Sequence, residues 1–465
     1  MSVVAVDPPG EPVEDFDLVI VGTGSGNAIP ADLDDARVAL VERDVFSGTC
    51  INRGCVPSKM FVYAADIAMA VREAGRYGLD AQLNGADWPA IRDRVFGRID
   101  PIVAQGEEYR AERCPNTTYV HGTGRFVDTK VLEVNGRRLT AERFLLAAGA
   151  RPFIPDIPGL DGSGFHTSDT IMRIDTLPRR LVVLGGGYIA IELGHVFDGL
   201  GSEVSIVNRG PRLLRSEDDD VSVCVTDLAA ERFNLHLGAR VDRVERANDE
   251  VTVVYHQGDG PEHHVRGDML LVATGRVPNC DLLDLDATGV RTDPSGAIVV
   301  DEHQETSMPG IYAIGDIANH RQLKHVANAE ARVAFHNIAH PDEPRVMDHS
   351  IIPHAVFGHP QVASVGLTER QAAAETLPFV CGSKMYSSTA YGWAMEDTTS
   401  FVKLIAHAHT RRLLGAHIVG PQASTLIQVL IQGMRFGSTV DELAREQMWI
   451  HPALTEVIEN ALLEL

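Results

Sequence analysis

The sequence has few cysteines, a deficit of basic residues and no long apolar run. Six cysteines in 465 residues are too sparse for a secreted domain held together by disulfides, so any disulfide in this chain is expected to be catalytic. The 41 basic against 64 acidic residues give a net charge of −23, which disfavours nucleic acid and anionic membranes as partners because their phosphates would be repelled.

No stretch approaches the roughly 18 apolar residues that span a bilayer, and the start, MSVVAVDPPGEPVED, lacks a cationic segment followed by an apolar one. A cytoplasmic location is therefore expected. The length predicts roughly three domains, and 44% hydrophobic with 23% charged residues is typical of globular proteins.

A glycine turn follows the first apolar segment. Residues 17–21 predict a buried strand, and residues 22–27, Gly-Thr-Gly-Ser-Gly-Asn, follow it directly. A second predicted strand, residues 38–41, ends at Glu42, 20 positions beyond Gly22, where dinucleotide folds place a ribose-binding acid. Strand, turn and spaced acid together favour a nucleotide site over an ordinary glycine-rich loop.

The same pattern recurs in the middle of the chain. A predicted strand, residues 181–184, precedes Gly185. A predicted helix follows, and then a second predicted strand over residues 203–207. Gly185 would make the tight turn, Gly187 would let the backbone approach a pyrophosphate, and Ala190 would permit close packing of helix on strand. The pattern predicts a second dinucleotide-binding unit.

Basic residues stand where an NAD site would carry an acid. After Val207 and Asn208 come Arg209, Arg212 and Arg215. Guanidinium groups there suit a 2′-phosphate and predict NADPH, whereas the alternative is a solvated basic turn.

Three more apolar segments are followed closely by a glycine. They are residues 144–148 before Gly149, residues 269–273 before Thr274 and Gly275, and residues 311–314 before Gly315 and Asp316. The last places a carboxylate at the carboxyl end of a strand, where α/β sheets bind ligands. From about residue 347 the pattern predicts an α+β domain, with strands near residues 355–357, 401–405 and 413–419 and helices to the end.

Two cysteines lie close together in residues 48–59, Gly-Thr-Cys-Ile-Asn-Arg-Gly-Cys-Val-Pro-Ser-Lys. A helix is predicted from about residue 58 to 74, with Pro57 at its first position. Cys50 and Cys55 enclose four residues beside that helix N-terminus, whose partial positive charge favours a thiolate. The pair is suited to electron exchange; the alternatives are a zinc half-site and two unrelated buried thiols.

Two further segments carry candidate chemistry. Lys59, in the first predicted turn, opposes the helix dipole, which indicates a nearby anion or electron-rich ring unless the lysine is simply exposed. Near the end, Pro452 is expected to hold His451 extended and to start a helix, so that Glu456 can lean back toward the imidazole. Such a pair would be a general base, His451, with a carboxylate, Glu456, that orients it. The alternative interpretation is a helix-capping histidine beside a surface glutamate.

These features, in this order, resemble the pyridine nucleotide–disulfide oxidoreductases from about residue 15 to the end. The most specific elements are Cys50-x4-Cys55-Val-Pro-Ser-Lys59, Ala-Ile-Gly-Asp316 and His451-Pro-x-x-x-Glu456. Within the family, which includes glutathione, mercuric and mycothione reductases and dihydrolipoamide dehydrogenases, the mycothione reductases are the most similar. That likeness rests on the first glycine turn, residues 94–101, 324–328 and 391–397, and the His-Pro-Ala-Leu ending.

The resemblance implies an α/β fold with two Rossmann-like dinucleotide-binding domains, for FAD and NADPH, and a C-terminal α+β dimerisation domain. It divides the chain into a disordered start (1–14), a FAD-binding part (15–152), an NADPH-binding domain (153–278), a returning FAD and central part (279–346) and an interface domain (347–465).

The resemblance also implies residue roles. FAD would lie against Gly22, Gly24, Glu42, Thr49, Lys59, Gly149 and Asp316. NADPH would lie against Gly185, Gly187, Tyr188, Ala190, Arg209, Arg215 and Gly275. The catalytic residues would be Cys50, which attacks the substrate disulfide, Cys55 next to the flavin, Lys59 paired with Glu192, and His451 with Glu456, which act on the partner subunit's cysteines in an obligate homodimer. No metal is implied, and the substrate would be a small-molecule disulfide, mycothione.

The sequence departs from the family pattern at two points, and three other functions are alternatives. Pro30 and the acidic residues 32, 34 and 35 shorten the helix after the first glycine turn, where no counterpart of a glutathione-binding arginine is present, and Asn27 replaces a small residue. Dihydrolipoamide dehydrogenase is opposed by Arg209, and mercuric reductase by a C-terminus without paired cysteines. A non-enzymatic flavin-based redox sensor is opposed by the joint presence of the two cysteines, Lys59, His451 and Glu456.

Overall fold

The computed structural model describes residues 13–465, whose helices and strands fall into two compact units. The first unit contains residues 13–56, 96–151 and 276–348, and the second contains residues 57–95, 152–275 and 349–465.

The strands are β1 (Val13–Val21), β2 (Val38–Glu42), β3 (Thr117–His121), β4 (Gly124–Asp128), β5 (Val131–Val134), β6 (Arg137–Leu146), β7 (Ala150–Pro152), β8 (Arg180–Leu184), β9 (Glu203–Asn208), β10 (Asn234–Leu237), β11 (Ala239–Ala247), β12 (Glu250–Gln257), β13 (Glu262–Gly267), β14 (Met269–Val272), β15 (Arg276–Pro278), β16 (Ile311–Ala313), β17 (His354–Val356), β18 (Val362–Gly366), β19 (Phe379–Met385), β20 (Phe401–His407) and β21 (Leu413–Val419). The helices are α1 (Gly48–Arg53), α2 (Cys55–Glu73), α3 (Trp88–Glu108), α4 (Tyr188–Leu200), α5 (Asp219–Ala230), α6 (Lys324–Ala339), α7 (Glu369–Ala374), α8 (Ala390–Ala394), α9 (Ala423–Phe436), α10 (Val440–Arg445) and α11 (Glu456–Leu462).

The first unit is built on a sheet in the order β3-β2-β1-β6-β5-β4, with β16 also paired to β6. Strands β3, β2, β1, β6 and β16 are parallel, and Val19 of β1 faces Ala39 and Phe144 in the register. All three side chains are fully buried, which explains why these strands read as continuous apolar runs. The carboxyl ends of the parallel strands share one edge, where the glycine turn, Glu42 and Asp316 follow them.

The second unit contains a second parallel sheet, β10-β9-β8-β14, and a three-stranded antiparallel sheet, β11-β12-β13. Its C-terminal part is a five-stranded antiparallel sheet, β17-β18-β21-β20-β19, whose core residues pack with those of α9 and α11. The predicted fold class is confirmed: two Rossmann-like sheets are followed by an α+β domain.

Several predicted boundaries are wrong. Strand β1 starts at Val13, so Val13 and Glu14 are in a strand, whereas the rest of the predicted disordered start lies outside the described residues. The helix expected from residue 58 begins at Cys55, which puts Pro57 at its third position, and α1 precedes it. The C-terminal helix begins at Glu456 rather than at Pro452.

The expectation that no segment is apolar enough to cross a membrane also needs correction. Within residues 13–465, the stretch Gly48–Tyr77 is long and apolar enough, with a mean hydropathy of 1.2 over its best window. In this fold, Phe61, Val62 and Ala65 of α2 are buried, whereas Tyr63 and Ile67 of the same helix are exposed.

Candidate functional site

The first glycine turn is shaped by a close backbone approach. Gly22 has a φ of +105°, and a Cβ there would lie 2.4 Å from the carbonyl oxygen of Ala147, so no other residue fits. At Gly24, by contrast, a Cβ would meet nothing within 4 Å. The turn is therefore tightly fixed on the sheet and open on its outer side, as a cradle for a phosphate group requires.

Glu42 is buried at the end of β2 and tied to the same turn. Its Oε2 accepts hydrogen bonds from the Thr23 amide (2.9 Å) and the Thr23 hydroxyl (2.6 Å), and its Oε1 accepts one from the Asp44 amide (3.0 Å). A carboxylate offers about four acceptor positions, so these three bonds leave one on Oε1 for a ribose hydroxyl.

Asp316 follows β16 at the same edge of the sheet. Its carboxylate is half-buried, and burial raises its pKa, while the positive charges of Arg276 and Lys324 oppose that rise. Gly149, after β6, has a φ of +65° and open space at its Cβ position. These features fit a dinucleotide cofactor with hydroxyl groups: the Asp316 carboxylate, the spare acceptor position of Glu42, and the open space at Gly24 and Gly149. FAD is such a cofactor.

Three residues at the first glycine turn were missed from the sequence. The Lys324 ammonium donates to the Ser25 hydroxyl at 2.9 Å, and that hydroxyl donates to Asn328 Oδ1 at 3.2 Å. Arg110, two residues after the end of α3, makes two hydrogen bonds to Asn27. Its Nε donates to Asn27 Oδ1 (2.8 Å), and its Nη2 donates to the Asn27 carbonyl oxygen (3.1 Å). In the sequence, the segment 324–328 shows only its family likeness.

The second glycine turn repeats the geometry of the first. Gly185 has a φ of +118°, and a Cβ there would lie 2.2 Å from the Ala273 carbonyl oxygen. Gly187, the N-cap of α4, faces open space, and so does Gly275, with a φ of +126°. Ala190 is fully buried in α4. The two turns thus have the same pair of properties, one crowded glycine and one open one.

Side chains beside this second turn have different surroundings. Tyr188 is the first residue of α4 and is 42% exposed. Arg209 and Arg215 are exposed, whereas Arg212 between them donates to Asp219 at 3.2 Å. Two accessible guanidinium groups near a phosphate cradle fit a nucleotide that carries an additional phosphate.

The two cysteines belong to consecutive helices. Cys50 is half-buried in α1, next to Thr49, and exposed Cys55 is the first residue of α2. The buried Asn52 side chain anchors α1 by donating to the carbonyls of Phe46 and Gly48, both at 2.7 Å. With both side chains as thiols, the hydrogen bond between them, with burial, raises the pKa of Cys50 well above its usual range.

Lys59 of α2 is paired with Glu192 of α4. Its Nζ lies 2.6 Å from Glu192 Oε2 and 4.6 Å from the ring centroid of Phe357. Glu192 is almost fully buried, and its Oε1 accepts the Phe357 amide at 3.0 Å. The lysine therefore has both an anion and an aromatic ring beside it, the two neighbours that its position in the helix indicated.

His451 and Glu456 are also in contact. His451 Nδ1 lies 2.7 Å from Glu456 Oε1, and Glu456 Oε2 accepts the Ala453 amide at 3.2 Å. The hydrogen bond from His451 lowers the pKa of Glu456, which keeps it a carboxylate. The imidazole itself is 72% exposed, with Nε2 left to act outward.

Among residues 13–465, no group of three or more His, Cys, Asp or Glu side chains is arranged to hold a metal ion. The first unit contains a glycine turn and a thiol pair, and the second unit contains another glycine turn and an oriented histidine.

Comparison with known families agrees with this geometry. Residues 16–332 match the model of the pyridine nucleotide-disulphide oxidoreductases, and residues 352–462 match the dimerisation domain of the same family. The chain belongs to this family.

The alignments with individual relatives extend over nearly the whole length of this oxidoreductase. Mycothione reductase of Mycobacterium tuberculosis is 47% identical over 97% of this chain and 100% of its own length. Mercuric reductase of Staphylococcus aureus is 34% identical, over 92% of this chain and 79% of its own length. In structure, the HOCl-induced flavoprotein disulfide reductase of Escherichia coli aligns with a TM-score of 0.84 and 26% identity, over 96% of this chain and 99% of its own.

The predicted family, enzyme class and cofactors are therefore confirmed. The oxidoreductase is an NADPH-dependent, FAD-containing disulfide reductase, and its dimerisation domain makes it a homodimer. The roles of individual residues stay predictions.

The thiol pair gives a testable pH dependence. Because the Cys55 sulfur and its charge raise the pKa of Cys50, replacing Cys55 by alanine lowers that pKa, so Cys50 ionises at a lower pH. We expect iodoacetamide to alkylate Cys50 of the reduced Cys55→Ala holoenzyme faster than in the wild type near neutral pH, as measured by peptide mass spectrometry. Cys381, on β19, is the internal control with an unchanged rate; an unchanged or slower Cys50 rate contradicts the prediction.

Proposed function

We propose that this oxidoreductase reduces mycothione, the disulfide of mycothiol, to two molecules of mycothiol. The observation that carries the proposal is the 47% identity to mycothione reductase over 97% of the chain, against 34% for mercuric reductase. Mycothiol carries no net charge, so its pocket needs no salt bridge. The chain also lacks a counterpart of the glutathione-binding arginine in the short segment after the first glycine turn.

We assign FAD to Gly22, Gly24, Glu42, Thr49, Lys59, Gly149 and Asp316, and NADPH to Gly185, Gly187, Tyr188, Ala190, Arg209, Arg215 and Gly275. The open glycines take the phosphates, Glu42 takes a ribose hydroxyl, and the exposed arginines take the 2′-phosphate. When bound, FAD supplies the ring system that carries two electrons from NADPH to a disulfide. Tyr188, exposed at the start of α4, would cover the nicotinamide site.

Cys50 and Cys55 carry the exchange of disulfides. The Cys50 thiolate attacks one sulfur of mycothione, which forms a mixed disulfide and breaks the substrate S–S bond. Cys55 then attacks the Cys50 sulfur, which re-forms the Cys50–Cys55 disulfide and releases the second mycothiol. Each turnover consumes one NADPH and one proton and yields two thiols, so electrons and protons balance.

The partner subunit's His451 handles the protons of this exchange. It takes the proton of the Cys50 thiol and gives it to the first mycothiol thiolate that leaves. Glu456 fixes the imidazole by its 2.7 Å contact to Nδ1, so that Nε2 is the working nitrogen. The exposure of the imidazole on its own protomer supports a target outside that protomer. Lys59 and Glu192 are positioning residues of the flavin site.

We further propose that residues 15–152 and 279–346 form the FAD part, residues 153–278 the NADPH part and residues 347–465 the interface. The cytoplasm is the proposed location, because NADPH is supplied there and its thiols are kept reduced.

The substrate is tested by NADPH oxidation with purified holoenzyme and three acceptors: mycothione, glutathione disulfide and lipoamide. We expect kcat/KM for mycothione to exceed the others by about 100-fold or more, the scale of discrimination that a built site achieves. Cys50→Ser is the control without turnover. Equal activity with glutathione disulfide would overturn the substrate while leaving the disulfide chemistry intact.

Cofactor choice depends on the exposed arginines. We expect Arg209→Ala and Arg215→Ala each to raise the KM for NADPH about tenfold, because each loses a charge-assisted contact to the 2′-phosphate, and to leave kcat and the KM for NADH unchanged. Arg212→Ala is the matched control, since that guanidinium is held by Asp219. If the KM values for NADPH and NADH rise together in the Arg209 and Arg215 variants, the assignment is wrong.

The inter-subunit role of His451 can be tested with mixed dimers. Cys50→Ser and His451→Ala homodimers should each lose about 100-fold or more of the mycothione activity, because one lacks the nucleophile and the other the acid–base group. His451→Ala should still bleach its flavin with NADPH at the wild-type rate.

Co-expression of the two variants then decides between the two arrangements. If His451 acts across the dimer, each mixed dimer has one complete site, and activity returns. If His451 acts within its own subunit, no dimer has a complete site, and activity stays at the level of the separate variants.

A further inference from the structure

The first glycine turn lacks the helix that gives such turns their positive charge. Residues Ser25–Asn27 and Ala31–Leu33 form single 3₁₀ turns, and Pro30 lies between them. In a dinucleotide fold, the helix after the turn places about half a positive charge beside the pyrophosphate. A three-residue turn has too few aligned peptide dipoles to do so. The second turn keeps its full helix, α4, so the deficit is confined to the FAD side.

Lys324 reaches the short turn from elsewhere in the first unit. Its Nζ lies 2.9 Å from the hydroxyl of Ser25, inside the turn, and Asn328 accepts a hydrogen bond from the same hydroxyl. The positive charge of Lys324 also acts on the pKa values of Cys50 and Asp316, two of the predicted site residues.

Within residues 13–465, no carboxylate lies within ion-pair distance of Lys324, although its charge interacts with Asp316 at longer range. Its hydrogen bond goes to a neutral hydroxyl, that of Ser25. It is also the first residue of α6, where a cation opposes the helix dipole. A half-buried, unpaired cation in that position is unfavourable unless an anion binds beside it.

Arg110 holds the other side of the turn. It follows α3 in a π-helical segment, Tyr109–Arg113, and grips Asn27 with two hydrogen bonds, one to the side chain and one to the carbonyl. Carbonyl oxygens on a turn repel a phosphate, and a guanidinium that binds one keeps it turned away from the cradle. π-Helical segments in proteins often serve to aim functional side chains.

We propose that Lys324 and Arg110 replace the missing helix charge: Lys324 contacts the FAD pyrophosphate, and Arg110 is a positioning residue for the turn that receives it. The proposal rests on the assignment of FAD to the first glycine turn. It adds two residues to that site that no sequence motif assigns, and it explains how a 3₁₀ turn in an acidic chain can hold two phosphate charges.

The test measures release of FAD from the full-length holoenzyme rather than turnover. Holoenzyme is diluted in steps, and free FAD is followed by its fluorescence, which gives the dissociation constant. We expect Lys324→Met to raise the Kd about tenfold, the size of one charge-assisted hydrogen bond, and Lys324→Arg to keep most of the affinity. Arg110→Lys, which keeps the charge but loses the two-point grip, should raise the Kd less than Lys324→Met does.

Ionic strength separates charge from folding. Salt weakens an electrostatic contact, so the wild-type Kd should rise with salt, and the Kd of Lys324→Met should rise less steeply. Lys130→Met and Arg113→Met are the controls: Lys130 donates to the Glu142 carbonyl (2.7 Å), and Arg113 is paired with Glu108 (2.5 Å), both on the surface. Both controls should bind FAD as the wild type does.

Two outcomes would overturn the proposal. One is a Lys324→Met holoenzyme with wild-type Kd and salt dependence; the other is an equal loss in Lys324→Met and Lys130→Met, which would indicate general charge or stability. Failure of the mycothione assignment looks different, because FAD would bind normally while the loaded enzyme failed to turn over mycothione.

Discussion

Phosphate charge is the constraint on which this structure depends. The chain carries a net charge of −23, yet it binds two dinucleotides, each with a negatively charged pyrophosphate. Long-range electrostatics therefore oppose binding, and each site must create a local positive potential. At the carboxyl edges of the two parallel sheets, crowded glycines fix the turns that follow the strands. At Gly22 and Gly185 the backbone passes so close to a neighbouring carbonyl that only glycine can occupy the position.

The same constraint explains where the cations are. At the second turn, α4 supplies its helix end, and the exposed Arg209 and Arg215 are the cations that we propose for the 2′-phosphate. At the first turn, the helix is reduced to a 3₁₀ turn, and side chains from α6 and from the end of α3 come to it instead. Two sites with the same glycine geometry thus reach a positive potential by different means.

The sequence predicted those parts of the molecule whose signals are local. Strands β1, β2 and β8, the two glycine turns and the cysteine pair all lie within short segments with fixed spacing, and the family match extends the prediction to the fold. Helix α1 was missed because six residues are too few to show a helical period, and Pro57 suggested a later start for α2. The contact of Lys324 with Ser25 joins residues 299 positions apart, and that of Arg110 with Asn27 joins residues 83 apart. No periodicity or spacing rule reports such contacts.

Two lysines near helix N-termini show how the balance of charge decides a role. Lys59 of α2 is paired at 2.6 Å with the buried Glu192, so the pair adds little net charge and serves to hold geometry. Among the described residues, Lys324 of α6 donates a hydrogen bond to the neutral hydroxyl of Ser25, and no carboxylate lies within ion-pair distance of it. Lys59 is the fifth residue of α2, and Glu192 offsets its charge within the protein, whereas Lys324 is the first residue of α6, where a cation is costly against the helix dipole. Under the proposed role of Lys324, the pyrophosphate of the cofactor offsets this cost, which would link the stability of this part of the fold to its occupation by the cofactor.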